Sequence, residues 1–294
     1  MKFRRSSPIH GSFRGVAVFI CIVAVLLIGA FSFRLLYPAT GTAELEIRFL
    51  DVGQGDSALI LHADGTVMID TGESENGPYL GNILDMCGGK LSCLVLTHPH
   101  SDHMGGAAYI LEHYDVDTVI LPTGPGGDGG YTALLALIRD KGIATATLAP
   151  GEAFRLGDLR FTCLAPLTDH DWENDNSYVL RMDYGEISAL FTGDAESASE
   201  ATQLAVYGAA PGGFLDVDLL KVGHHGSATS STDLYLAAVT PKYAVISCGA
   251  DNAYGHPHKE VLSRLMQAGA RILRTDLSGT VVFRTDGNTL ELIL

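Results

Sequence analysis

Basic side chains are scarce in this chain. Over 294 residues, 19 Lys and Arg face 34 Asp and Glu, for a formal net charge of −15. Five of the nineteen (Lys2, Arg4, Arg5, Arg14 and Arg34) fall in the first 34 residues, which contain no acid. The other 260 residues therefore carry 14 basic and 34 acidic side chains, a net charge of −20. Such a field repels polyanions at long range and argues against tight nucleic-acid binding, although bound cations would reverse its sign locally. Cysteine is also sparse, at five residues. Cys21 lies in an apolar stretch. Cys87, Cys93, Cys163 and Cys248 are scattered as buried small hydrophobes are, which excludes a dense disulfide framework. Cys87 and Cys93 alone are close enough in sequence to pair in an oxidising compartment. Repeats and long disordered tracts are absent. A second long apolar run is absent too, so the chain is not a multi-helix channel.

The one long apolar run spans residues 15–33 and carries no charge. It is about long enough to cross a hydrocarbon core as a helix. From Val16 to Ile28 it has no polar face, so it belongs in lipid or deep in a core. The sequence is expected to divide into a basic N-terminus and single transmembrane anchor over 1–36, a linker over 37–43, and one catalytic domain over 44–294. The alternative to an anchor is a cleaved signal peptide, for which Thr40-Gly41-Thr42-Ala43 is a poor site. Basic residues stay cytoplasmic, so the domain is expected outside the cytoplasm, at the cell membrane or secreted.

Within the domain, strand patterns at 44–51, 57–62 and 66–69 are followed by a helix over 79–86 and a buried strand over 91–97. Helices over 106–114 and 131–141 flank a strand at 118–121, and the Gly-rich stretch 124–130 reads as an access loop. Strands at 161–165, 178–184 and 187–192 follow, with a helix over 195–207. Strands at 217–222 and 243–247 alternate with helices over 233–239 and 258–268, and strands at 271–273, 280–284 and 289–293 close the chain. This order predicts an α+β fold of two packed sheets inside helices.

The strand over 91–97 delivers His98-Pro99-His100-Ser101-Asp102-His103, three imidazoles and a carboxylate in one short loop. These are ligands for Zn²⁺, Mn²⁺ or Fe²⁺. One ion cannot easily take all four. Two can, with His98 and His100 on one and Asp102 and His103 on the other, which is the arrangement of a two-metal hydrolase. Gly105-Gly106 lets the chain turn tightly beside them.

The HxHxDH motif is the signature of the metallo-β-lactamase superfamily, which this chain resembles over roughly 44–294. Residues 49–57 (Phe-Leu-Asp-Val-Gly-Gln-Gly-Asp-Ser) resemble the opening of the hydrolase domain of ComEC-type competence proteins. Further matches come in order at Ile69-Asp70-Thr71-Gly72, Asn174-Asp175-Asn176-Ser177, Phe191-Thr192-Gly193-Asp194, residues 220–227, and Tyr254-Gly255-His256-Pro257. The resemblance implies a four-layer αββα sandwich with two divalent ions, zinc or manganese, at one rim. It makes Asp194 the bridging ligand. Most members supply a third histidine between loop and bridge; here residues 171–177 have none, and Asn174 or Ser177 is the candidate ligand or substrate contact. His224 and His225 end an apolar strand, where alternation should point them apart. His224 is expected as a ligand beside Asp102 and His103, and His225 as a substrate contact or proton donor. His256, just before a helix, suits an anionic group. Asp56 and Asp70 are expected to orient the ligands through hydrogen bonds.

The chemistry expected is metal-assisted hydrolysis, with Asp102 or Asp194 orienting the nucleophile and His225 or His256 serving the leaving group. The resemblance favours phosphodiesters, including single-stranded DNA. A cell-envelope esterase acting on phosphocholine-type or other small esters is the alternative enzyme, and a membrane-tethered binding module with a decayed metal site is the non-enzyme alternative.

Overall fold

The computed structural model describes residues 45–123, 129–171 and 173–293. The expected anchor and linker, most of the access loop and Trp172 lie outside the described residues. Among those described, no helix is long and apolar enough to cross a membrane.

The strands run β1 Leu45–Phe49, β2 Ala58–His62, β3 Gly65–Ile69, β4 Lys90–Leu91, β5 Cys93–Val95, β6 Asp115–Val116, β7 Thr118–Ile120, β8 Ala144–Ala146, β9 Ala153–Leu156, β10 Leu159–Ala165, β11 Val179–Tyr184, β12 Ile187–Phe191, β13 Leu219–Lys221, β14 Tyr243–Ile246, β15 Arg271–Arg274, β16 Val281–Thr285 and β17 Leu290–Ile293. The helices are α1 Gly77–Met86, α2 Ser101–Met104, α3 Ala107–His113, α4 Gly129–Lys141, α5 Ser197–Tyr207, α6 Asp233–Val239, α7 Lys259–Gln267 and α8 Thr275–Ser278. One sheet orders its strands β17-β16-β1-β2-β3-β5-β7-β8, and the other β15-β14-β13-β12-β11-β10-β9. β3, β5, β7 and β8 are parallel in the first, and β12 to β15 in the second.

Period-two patterning explains why four layers form. In β3, Val67 and Ile69 enter the cluster between the sheets while Met68 faces the outer helices. In β5, Cys93 and Val95 point inward and Leu94 outward. In β12, Ala189 and Phe191 point inward while Leu190 joins the outer cluster with Leu236 and Val261. A strand buried on both faces needs a covering layer on each, so the apolar sequence dictates sheet on sheet with helices outside. Phe49 joins the sheets, stacking on Phe191 at 5.8 Å between centroids and meeting Phe283 edge-on at 6.4 Å.

Some elements were not anticipated. β8 and β9 are short and largely solvent-facing edge strands, whose weak apolar signal hides them. β4 and β6 form a separate two-residue ladder, and α8 is a single turn. The end of the histidine motif is helical, because α2 starts at Ser101 after an extended His100. Cys87 and Cys93 are both free: Cys93 faces the space between the sheets, and Cys87 packs with the outer helices.

Phe49→Ala is expected to cost about 3–5 kcal/mol of unfolding free energy, as removal of a fully packed aromatic does, read as a lowered denaturant midpoint. A cost under about 1 kcal/mol would show that the sheets do not depend on this contact.

Candidate metal centre

The ends of parallel strands converge at one rim. β3 leads into Asp70, β5 into Thr97 and His98, β12 into Asp194, and β13 into His224 and His225. The sheets meet there through Tyr178 N–H donating to Thr97 O at 3.0 Å, and within the second sheet Asp194 N–H donates to Ser177 Oγ at 3.2 Å. Ser177 thus positions the backbone of Asp194. Gly105 is required where it stands: a Cβ would lie 2.5 Å from both Ser101 O and Ser74 N.

Asp194 is the centre of the site. His103 Nε2 approaches its Oδ1 at 3.2 Å. Its Oδ2 is approached by Nε2 of His225 at 3.5 Å, His224 at 3.8 Å and His98 at 3.9 Å. His225 Nε2 is also 3.2 Å from Asp102 Oδ2. His98 and His103 are 0% exposed and His225 1%, yet their Nε2 atoms and Asp194 Oδ1 have no hydrogen-bond partner. Buried polar atoms left unpaired are costly. Donors about 2.0–2.2 Å from one tetrahedral cation stand roughly 3–3.5 Å apart. The spacing and the orphaned nitrogens therefore fit a divalent cation. Asp56, His103, Asp194 and His225 each place a ligand-type atom within 4.8 Å of the others.

A second ring of groups aims the imidazoles. Asp70 Oδ2 lies 2.8 Å from His103 Nδ1, and Asp70 itself accepts from Thr97 N–H at 2.8 Å and Thr97 Oγ1 at 2.7 Å. His225 Nδ1 faces Ser247 O at 3.0 Å and Asp56 Oδ1 at 3.2 Å. Asp56 is paired at 2.7 Å with the buried ammonium of Lys221, which also donates to Val222 O at 2.7 Å. Asp56 and Asp70 thus stand behind the imidazoles. Lys221 was missed by sequence reasoning; its signal is a lone cation ending an otherwise apolar strand. Glu196, two residues beyond Asp194, was missed as well. It lies 2.8 Å from His224 Nδ1.

The histidine pair departs from alternation. His224 (φ 46°, ψ 49°) and His225 (φ 52°, ψ 22°) are both left-handed, at about 1–2 kcal/mol each. Such strain persists when the surroundings over-determine it. His224 N–H donates to Gly193 O, Ser227 N–H to His224 O, and Ser230 Oγ to Gly223 O. As a result both rings face Asp194. It is His225, not His224, that stands beside Asp102 and His103.

The remaining candidates are near but differently engaged. His100 lies with its ring 4.5 Å from that of His98, its Nε2 2.8 Å from Glu173 Oε2. Asn174 Nδ2 reaches Glu196 Oε1 at 3.2 Å, and its buried Oδ1 has no partner. Asp175 caps α5 by accepting from Glu196 and Ser199 N–H at 2.9 Å each. The His256 ring lies 5.5 Å from His224 and 6.3 Å from His225.

Electrostatics follow from this crowding. Burial would raise the Asp194 carboxyl, but His103 and His225 overcome it and hold the group well below the usual range. Burial would lower His103 and His225; Asp194, then Asp70 for the first and Asp56 for the second, raise both well above 6.5. Burial and His103 push His98 well below 6.5. Burial, then His224 and His225, bring His256 to about 4.

The described residues form an αββα domain whose strand ends carry a buried carboxylate–imidazole centre fit for divalent cations, and that defines its class. A family model for the metallo-beta-lactamase superfamily matches residues 50–250, and the chain belongs to that superfamily. It is similar to ComE operon protein 3 of Bacillus subtilis (strain 168), at 35% identity over 269 residues, covering 85% of this chain and 34% of that protein. Competence protein ComA of Neisseria gonorrhoeae is 33% identical over 271 residues, 88% of this chain and 35% of that one. Recombination protein 2 of Haemophilus influenzae is 31% identical over 255 residues, 84% and 30% of the respective chains. The chain thus spans about a third of the length of these curated relatives. Among solved structures, the metallo-beta-lactamase fold protein YhfI from Bacillus subtilis shares the fold at TM-score 0.56 and 14% identity, over 83% of this chain and all of that one. CmlA, a diiron beta-hydroxylase from Streptomyces venezuelae, does so at TM-score 0.55 and 16% identity, over 83% and 55%. Members of the superfamily are generally hydrolases, and the fold implies divalent metal ions.

Protons on His103 and His225 compete with a cation, because both imidazoles titrate well above 6.5. Metal affinity should therefore fall as pH drops through their raised values, and binding should release protons, measured by calorimetry in buffers of different ionisation enthalpy. After chelation, the pairing of these imidazoliums with Asp194 stabilises the fold fully below about 6.5. That contribution is lost as pH rises through their raised values, so the melting temperature of the chelated protein should drop on the alkaline side. Asp70→Asn should weaken metal binding about 10–100-fold, the usual cost of losing a carboxylate behind a ligating histidine; unchanged affinity would contradict the orienting role.

Proposed function

We propose that the chain is a metal-dependent phosphodiesterase, using two divalent ions, whose catalytic domain lies outside the cytoplasm on a single N-terminal anchor. The observation that carries this reading is the convergence of the buried, unpaired Nε2 atoms of His98, His103 and His225 on Asp194. Asp102, His103, His225 and Asp194 would hold one ion, and His98 and His100 would belong to the other. Bound ions would supply hydroxide near neutral pH by lowering the pKa of water to about 7.

The chain's own residues supply orientation and charge. Asp194, ionised through its histidines, turns Oδ1 to His103 and Oδ2 between His225 and His98. Asp102 faces His225 from the loop side. His256, held at about 4, is uncharged at neutral pH and offers a hydrogen bond to an anionic substrate rather than a ready proton. With His225 committed to Asp102 and Asp194, the substrate-facing role falls to His256.

The competence relatives support a nucleic-acid phosphodiester, with single-stranded DNA as one substrate. The net charge of −20 beyond residue 34 favours short or small phosphodiesters over long duplexes. The same charge supports a second reading, hydrolysis of small cell-envelope esters. A binding module with a decayed site fits poorly, because His98, His103, Asp194 and His225 are all in place and buried.

The full chain, purified in mild detergent with Mn²⁺ or Zn²⁺ added, should hydrolyse bis-p-nitrophenyl phosphate and short single-stranded DNA. Asp102→Ala and Asp194→Ala should each lose at least about 100-fold in kcat/KM, roughly 2.7 kcal/mol of transition-state stabilisation. Metal-loaded protein without phosphodiester turnover but with carboxyl-ester turnover would replace this reading with the esterase. For topology, an alkaline phosphatase fusion after residue 40 should be active and a fluorescent-protein fusion dark. The reverse pattern would place the domain in the cytoplasm.

A further inference from the structure

Four imidazoles approach Asp194 on a shared plan with one difference: His224 Nε2 also lies 3.4 Å from Asn174 Nδ2, whereas the Nε2 atoms of the other three have no hydrogen-bond partner. Each has its Nδ1 beside an oxygen and its Nε2 directed at the carboxylate. His103 has Asp70, His225 has Ser247 O and Asp56, and His98 has Thr97 Oγ1 at 3.1 Å. For His224 the oxygen is Glu196 Oε1, at 2.8 Å. An acceptor at Nδ1 holds the proton there and leaves the Nε2 lone pair for a metal. His103 and His225 are accounted for by Asp102, which His225 meets at 3.2 Å, with their rings 5.2 Å apart. His98 and His224 remain. Their Nε2 atoms stand 3.9 and 3.8 Å from the same oxygen, Asp194 Oδ2.

Resting on the two-metal reading above, we infer that His224 is a ligand of the cation position that includes His98 and Asp194, and that Glu196 is its positioning residue. The consecutive left-handed residues make this possible. An extended chain would send His224 and His225 to opposite faces, whereas φ of 46° and 52° brings both Nε2 atoms to one carboxylate oxygen. One strand end thereby serves both positions. Glu196 is fixed in turn: its N–H donates to Asp175 Oδ1 at 2.9 Å, and its carboxylate accepts from Asn174 Nδ2 at 3.2 Å. The Asn-Asp-Asn segment then supports the carboxylate behind His224. The competing role for His224, whose side chain is 22% exposed, is a substrate contact that binds no metal.

The test is metal stoichiometry by mass spectrometry and Co²⁺ titration by calorimetry and visible absorption, on the full chain in detergent. His224→Gly removes the imidazole at a left-handed position that glycine adopts freely, and circular dichroism verifies its fold. Wild type should bind two ions and His224→Gly one, with the loss of one set of Co²⁺ bands. Glu196→Gln should keep two ions, one of them bound about 10–100-fold more weakly. Two ions of unaltered affinity in His224→Gly, or a single ion in wild type, would overturn the assignment. Failure of wild type to bind any ion would instead sink the metal-dependent reading on which it rests.

Discussion

A carboxylate buried where two sheets meet, Asp194, has to be compensated, and the rest of the site is arranged around that requirement. Four imidazole nitrogens stand within 3.9 Å of its oxygens. Asp56 and Asp70 stand behind two of those rings, so the neighbourhood is rich in negative charge with little solvent to screen it. Lys221 offsets one carboxylate at 2.7 Å. An uncompensated buried charge is far costlier than a paired one, and a divalent cation can take the place of the protons that His103 and His225 otherwise hold beside Asp194. Charge balance, orphaned nitrogens and donor spacing all lead to the same chemistry.

The fold supplies this arrangement through strand ends. β3, β5, β12 and β13 finish at one rim, no more than three residues before Asp70, His98, Asp194 and His224. Their two-faced burial in the sandwich makes the platform rigid. Within the site the left-handed non-glycine residues are Asp70, His224 and His225, and at the histidines Gly193 O, Ser227 and Ser230 hold the turn. The polar contacts behind the ligands fix ring orientation, so the imidazoles are aimed before any ligand arrives.

Much of this was legible in the sequence for physical reasons. His98 through His103 and Asp194 follow apolar strands, and short-range pattern is enough to find them. Asp70 stands at a strand end next to a turn, where an orienting carboxylate belongs. The two-sheet sandwich follows from strands apolar on both faces. Other features depend on contacts distant in sequence. Lys221 acquires its meaning from Asp56, 165 positions earlier, and Glu196 from His224. The division of labour between His224 and His225 turns on two φ angles that no residue type announces, since left-handed histidines are unusual. The edge strands β8 and β9 escaped because they bury little.

Anomalous diffraction from crystals grown with Mn²⁺ or Zn²⁺ tests the central claim most directly. The account predicts strong anomalous peaks at the rim, each within about 2.0–2.3 Å of imidazole Nε2 atoms, with Asp194 bound through its carboxylate. Ions confined to exposed acidic side chains, with the Nε2 atoms of His98, His103 and His225 left unbound, would contradict it.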